Sequence, residues 1–228
     1  MTTVKLAGNG FGGVIQGAYG TYNIALDGSF TVDTRDAPPL LQQGMAYVTV
    51  STEQYTTPLP PPAAAVGAIV ASVALSNGTL TIASSPSIPR PVAVVVGTGT
   101  TAITAGNVTV TYVGNDGQTD VDVFSLACAA SSTTTQLLSR GVDTITSAVV
   151  TGLTGGTSPF IHLDTTAALS LPVAPGAIDF AVQREYDGGA TVAVGTVLST
   201  PIGSITPTTA PNGTLNYSFV YVFTAPAS

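Results

Sequence analysis

NVTVTYVGNDGQTDVDVFSL, residues 107–126, decides the fold class. Two runs of alternating β-branched and aromatic residues flank Asn115-Asp116-Gly117. Such side chains pack well on a pleated surface, and the Asp-Gly step accepts the positive φ of a tight turn. The stretch therefore predicts a strand–turn–strand element. Side chains alternate across a strand, so Val108, Val110 and Tyr112 share one face of the first strand, and Thr109, Thr111 and Val113 the other. On the second strand Val121, Val123 and Ser125 point one way and Asp120, Asp122 and Phe124 the other. The aspartate set is the expected solvated face.

The same grammar extends along the 228-residue chain. Asn9-Gly10, Asp27-Gly28, Asn77-Gly78, Asp187-Gly188 and Asn212-Gly213 are further turn dipeptides between short runs of Val, Ile, Thr, Tyr and Phe. Expected strands are 19–26, 29–33, 45–51, 91–96, 107–113, 119–126, 142–151, 159–163, 178–184, 191–198 and 215–223. Pro38 and Pro39 limit any helix in the first part to about one turn, over 39–43. In TTTQLLSRG, Leu137 and Leu138 do not sustain a helical period, so strand or loop is expected there. The fold class is all-β: a small Gly-rich N-terminal β-arm or subdomain, then an antiparallel β-sandwich, immunoglobulin-like or jelly-roll-like. The expected domains are an attachment unit, 1–57; a Pro-rich linker, 58–67, stiff and extended or crossing the edge of the next sheet; and a sandwich, 68–228, opening with a hairpin over 68–84 that turns at Asn77-Gly78.

Composition limits function. Charged residues are 7% of the chain, against about 25% in ordinary domains, and Trp is absent. Net charge is −7, with five basic residues, Lys5, Arg35, Arg90, Arg140 and Arg184, set singly along the chain. Phosphate backbones and anionic membranes need clustered cations, so neither nucleic acid nor membrane is an expected partner. Cys128 stands alone in an apolar setting and reads as a buried, inert thiol. MTTVKLAGNGFGG has no long apolar run after Lys5, so no secretory leader is expected. Residues 60–75 are weakly polar but broken by Asn77-Gly78 too early for a membrane span.

Sites with chemistry are few. His162 and Asp164 lie two apart on a strand, as an acid–base pair would, but no turn presents a nucleophile beside them. Asp116, Asp120 and Asp122 offer oxygens to calcium without the required loop pattern. GNGFGG at 8–13 lacks the Lys-Ser/Thr ending of a phosphate loop. The Asn-x-Ser/Thr triplets at Asn77, Asn107, Asn212 and Asn216 are what a Thr-rich chain contains by chance. Arg184, Glu185 and Asp187 form the densest charge group, read as a solvated strand end or an intersubunit ion pair. Tyr19, Tyr22, Tyr47 and Tyr55 suit contacts or local packing. No catalytic residue, cofactor or metal is expected. With few charged guards on its edge strands, the chain is expected to self-associate.

The succession IPRP (88–91), a Val run, ITAGNVTVTYVGNDGQTDVDVFSL (103–126), a Thr-rich segment and VDTITSAVVTGLTGG (142–156) resembles structural proteins of tailed bacteriophages. TTAALSLPV (165–173), QREYDGG (183–189) and PNGTLNYSFVYVF (211–223) continue the likeness, which covers residues 86–223 and points most to capsid decoration, or cement, proteins. GGVIQGAYGTYNIALDGSFTVDTRDAPPLLQQG (12–44) is similar to the β-arms with which phage head proteins grip a shell. The resemblance implies a non-enzymatic protein on the outer surface of the head, made in the host cytoplasm. Its implied partners are the major capsid protein and further copies of itself, with a trimer as the guess. It implies arm anchors at Phe11, Tyr19, Tyr22 and Phe30, and sandwich-edge contacts at Arg90 and Arg184. A tail, head–tail or fibre-attachment subunit is the runner-up. A carbohydrate-binding module, which would display Trp, and an enzyme come behind it.

Overall fold

The computed structural model describes residues 3–7, 13–16, 18, 20–24, 29–33, 35, 37–42, 46–173 and 179–226. They fall into two compact units, one of Met1–Glu53, Ala174–Phe180 and Val222–Ser228, the other of Gln54–Val173 and Ala181–Tyr221. The first unit is thus discontinuous, where the sequence suggested a contiguous arm ending at 57.

In the first unit, β1 (Thr3–Ala7), β2 (Gly13–Gln16), β3 (Thr21–Ile24) and β4 (Ser29–Asp33) precede a short helix, α1 (Ala37–Gln42), and β5 (Ala46–Thr56). β1 lies antiparallel between β4 and β5, with Leu6 opposite both Phe30 and Tyr47. β2 and β3 form a separate antiparallel pair. Leu6, Val32, Ala37 and Leu40 are buried. Pro38 and Pro39 sit in the first turn of α1, where an N–H has no helical partner to lose.

The second unit continues with β6 (Ala65–Ala74), β7 (Gly78–Thr79), β8 (Val92–Gly97), β9 (Ile103–Gly114), β10 (Thr119–Ser125), β11 (Thr133–Leu137), β12 (Val142–Gly155) and β13 (Phe160–Thr165). These make two four-stranded antiparallel sheets, β10-β9-β12-β7 and β11-β8-β13-β6. One core fills the space between them. Val92, Val94 and Val96 of β8, with Ile161 and Leu163 of β13, meet Val108, Val110 and Tyr112 of β9 and Ala148 and Val150 of β12. This is the predicted all-β sandwich. Consecutive strands mostly change sheet; β9–β10 is a hairpin, turning through Gly117 at φ +75°.

The hairpin expected over 68–84 is not formed as such. β6 pairs with β13 in one sheet, and β7 pairs with β12 in the other. Asn77-Gly78 is a crossing between layers, and its positive-φ glycine serves that crossing instead of a hairpin turn. The proline segment is likewise no free linker. Pro61 is buried, its carbonyl accepts the Gly213 N–H at 2.9 Å, and the Pro62 carbonyl accepts from Arg90 at 3.1 Å.

β14 (Leu169–Ser170), β15 (Asp179–Asp187), β16 (Ala190–Val192), β17 (Thr196–Val197), β18 (Ser204–Thr206) and β19 (Tyr217–Pro226) complete the chain. β17 and β14 flank β18 in a small sheet. β15 and β16 form a hairpin through Gly188 and Gly189, both at positive φ, as a two-residue turn requires. The run 191–198, expected as one strand, is split between β16 and β17. The end of β5 meets the start of β19: Thr57, just after β5, is buried, its N–H donates to the Tyr217 carbonyl, and its hydroxyl accepts the Tyr217 N–H. Among the described residues no helix is long and apolar enough to cross a membrane.

Candidate functional site

The β9–β10 hairpin groups its side chains as the sequence predicts but turns them the other way. Val121 and Val123 stand opposite Thr111 and Thr109; Asp122 and Phe124 stand opposite Val110 and Val108, and Asp120 opposite Tyr112. Val108, Val110 and Tyr112 are core residues, so the aspartate set of β10 is on the core side and half-buried. The valines face solvent, Val121 at 51% and Val123 at 61% exposure.

Partners from distant sequence explain the inversion. Asp122 Oδ2 accepts the Tyr112 hydroxyl at 3.0 Å and the Ser139 N–H at 2.7 Å, and Oδ1 accepts the Ser139 hydroxyl at 2.9 Å. Arg140 donates from Nε to Asp120 at 2.7 Å and from Nη1 to Asp116. Burial draws the Arg140 guanidinium down, but the Asp120 hydrogen bond and the two aspartate charges outweigh it and raise its pKa. The Tyr112 phenol is held well above its ordinary range by burial and by the Asp122 charge, against the opposing hydrogen bond to Ser139. The three aspartates that could have offered oxygens to calcium spend them on Arg140, Ser139, Tyr112 and the N–H groups of Gln118 and Val121. No cluster of three or more potential metal ligands occurs among the described residues.

With the charges turned inward, the outer face of β10-β9-β12 carries Val121, Val123, Thr109 and Thr111, extended by Ser147 and Val149 of β12. None of these six residues is ionisable; the exposed carboxylate of Asp143 lies farther along β12, beside Thr144. β10 is also an edge strand.

The chain matches no family model, and comparison with curated proteins and with solved structures finds no match. The functional reading therefore rests on the residues themselves.

His162 and Asp164 do meet, Nδ1 to Oδ1 at 2.6 Å. The same Asp164 oxygen accepts the Gly67 N–H at 2.6 Å, and the imidazole stacks on Phe160 with ring centroids 5.9 Å apart. No hydroxyl is hydrogen-bonded to the imidazole among the described residues. The pair ties β13 to β6 and has the geometry of a strand-to-strand brace. Cys128 is buried against the Val96 and Ser132 carbonyls.

Arg90, expected as an edge contact, is an interior residue at 1% exposure. Its Nη1 donates to the Pro62 and Thr166 carbonyls at 3.1 and 3.2 Å, while Nε and Nη2 are buried without a protein partner. Burial lowers the guanidinium's pKa. The flanking Pro89 and Pro91, with a continuous apolar run after them, were the signal that this position enters the core. Arg184 is exposed on β15, as a contact residue must be. Glu185 and Asp187, read as part of a solvated strand end or of an intersubunit ion pair, are instead buried, on the face of β15 opposite Arg184. Their spacing of two on one strand was the available clue. Of the arm anchors, Tyr22 is half-buried in β3 over Gly20, and Phe30 occupies the β4 position opposite Leu6. Phe11 and Tyr19 lie outside the described residues, as does most of GNGFGG.

Proposed function

We propose that the chain is a non-enzymatic structural subunit of a phage virion that binds the outside of the assembled capsid and stabilises it. The observation that carries this reading is the patch of Val121, Val123, Thr109, Thr111, Ser147 and Val149 on the outer face of β10-β9-β12, none of them ionisable. A Thr/Val surface loses little hydration on contact and needs no matching charge, so it suits repeated docking within a symmetric shell. Each copy contributes a modest area, and the many copies of a closed lattice add to a large total. Arg90 is interior and Arg140 is engaged by Asp116 and Asp120, which thins the cationic surface further and supports a position away from nucleic acid. The proposed partners are the major capsid protein and further copies of the chain, with a trimer as the proposed oligomer.

Val121→Glu and Val123→Glu, made together, test the face. Both side chains point to solvent in the isolated chain, so stability stays within about 0.5 kcal/mol. Occupancy on purified heads, read by quantitative gel densitometry, is expected to require at least tenfold more protein. Undiminished binding of the double variant excludes this face as the contact. Gold-labelled copies found on the tail or at a single vertex support the runner-up, a tail or head–tail subunit.

A further inference from the structure

Glu185 and Asp187 sit two apart on β15 and enter the same buried space. Glu185 has no exposed surface; its Oε2 accepts the Gly195 N–H and its Oε1 the Thr208 N–H, both at 2.7 Å. Asp187 is 8% exposed; its Oδ2 accepts the Thr209 N–H at 3.1 Å, and its Oδ1 is buried with no partner. Two remote stretches, 193–195 and 207–209, are thereby fastened to one strand. The Thr208 hydroxyl donates to the Ala193 carbonyl at 2.6 Å and joins the two stretches to each other.

Tyr217, from β19, is the titratable group that faces this pair; its hydroxyl donates to the Thr209 carbonyl at 3.0 Å, and burial together with the Asp187 and Glu185 charges raises its pKa. β16, β17, β18 and the 207–209 stretch bring no ionisable side chain. Arg184 is exposed on the opposite face of β15, and among the described residues no Lys, Arg or His forms an ion pair with either carboxyl. Two adjacent carboxylates, buried without a cation, cannot both ionise cheaply. A proton on Glu185 aimed at Asp187 also gives the orphaned Asp187 oxygen a hydrogen-bond role.

We propose that Glu185 holds a proton directed at Asp187 and that the two side chains form a pH-operated clamp on residues 193–195 and 207–209, closed while the proton is kept and loosened when it leaves. Burial, then the Asp187 charge and hydrogen bond, raise the Glu185 pKa above its ordinary value, against the lowering effect of the two backbone amides. The folded chain therefore keeps this proton to higher pH than the unfolded chain does. Where the unfolded state binds fewer protons, stability falls as pH rises. The clamp's contribution is full below the ordinary glutamate range and is lost as pH climbs to the raised value. The proposal is independent of the decoration reading.

Amide hydrogen exchange of the full chain, measured by NMR across pH and corrected for intrinsic rates, tests it. Protection of Gly195, Thr208 and Thr209 is expected to drop at least tenfold between pH 5 and pH 9, with core amides of β8 and β13 unchanged. Asp187→Asn removes the charge that faces Glu185, and its amide N–H can donate to Glu185 while its oxygen still accepts from Thr209. This variant should keep the three amides protected at high pH. Infrared spectroscopy of the wild type should show a protonated-carboxyl band persisting above the ordinary carboxylate range and missing from Asp187→Asn. Wild-type protection that is flat with pH overturns the clamp, as does an identical pH dependence in a folded Asp187→Asn. If that variant does not fold, the wild-type exchange profile and infrared band decide alone.

Discussion

Arg90→Ala is expected to destabilise the second unit by about 3–5 kcal/mol, and Arg90→Met by only about 1–2 kcal/mol. Alanine empties the volume of one of the largest fully buried side chains in the chain and leaves the Pro62 and Thr166 carbonyls without their donor. Methionine restores most of that volume. It also removes a buried cation that has no carboxylate partner among the described residues, and shedding such a charge offsets much of the lost hydrogen bonding. Urea unfolding followed by tyrosine fluorescence reads the difference: with m near 3 kcal/mol/M, alanine shifts the midpoint down by roughly 1 M or more and methionine by under about 0.7 M. The result also separates two roles for the residue. A surface contact would leave both midpoints within experimental error and lower only binding to heads. An anchor for the proline segment lowers the midpoint in the order alanine, methionine, wild type.

Arg90 shows where reading the sequence reaches its limit. Local patterns set the strands well, because β-branched runs between Gly turns have one economical backbone solution. β8, β9, β10, β12 and β13 fall close to their expected ranges. The direction in which a strand faces is a different matter, since it depends on groups far away in sequence. Alternation sorted β10 into Val121/Val123 and Asp120/Asp122/Phe124, and both sets survive in the structure. Which set turned inward was decided by Ser139, 17 residues after Asp122, and Arg140, 20 residues after Asp120. The same holds for Asn77-Gly78: strand–turn–strand looks alike whether the chain folds back on itself or crosses to a second sheet, and only the pairing of β6 with β13 and β7 with β12 distinguishes them. Glu185 and Asp187 carry charges that usually mean solvent, and their burial depends on amides of residues 195, 208 and 209 that no local motif announces. The candidate docking face was accordingly hidden behind an assumption about aspartates, although every residue of it was in view.

Gly141→Ala is expected to cost about 3 kcal/mol, and Ser170→Gly to recover a good part of that loss. A Cβ on Gly141 would collide with both Oγ and Cβ of Ser170, with the Asn115 side chain 3.3 Å away. Gly141 is not at positive φ, so the requirement is space alone and not backbone freedom. Ser170 cannot swing aside: it is fully buried, its hydroxyl is paired with Ser204 at 2.9 Å, and its N–H donates to the Pro89 carbonyl at 2.8 Å. Overpacking against so fixed a neighbour belongs at the upper end of the 1–3 kcal/mol range. The close approach exists because the β9–β10 turn is tied down here. Asn115 N–H donates to the Gly141 carbonyl at 2.7 Å, and its side-chain amide donates to the Leu171 carbonyl at 2.6 Å. Ser170→Gly alone leaves the Ser204 hydroxyl unpaired, at about 1–2 kcal/mol. In a double-mutant cycle by urea unfolding the two changes should couple favourably by about 1.5 kcal/mol or more. Strict additivity, or a Gly141→Ala midpoint equal to wild type, shows that β12 and β14 do not approach this closely. Favourable coupling fixes the turn of residues 114–117 against β14, and with it the orientation of the hairpin whose outer face carries Val121 and Val123.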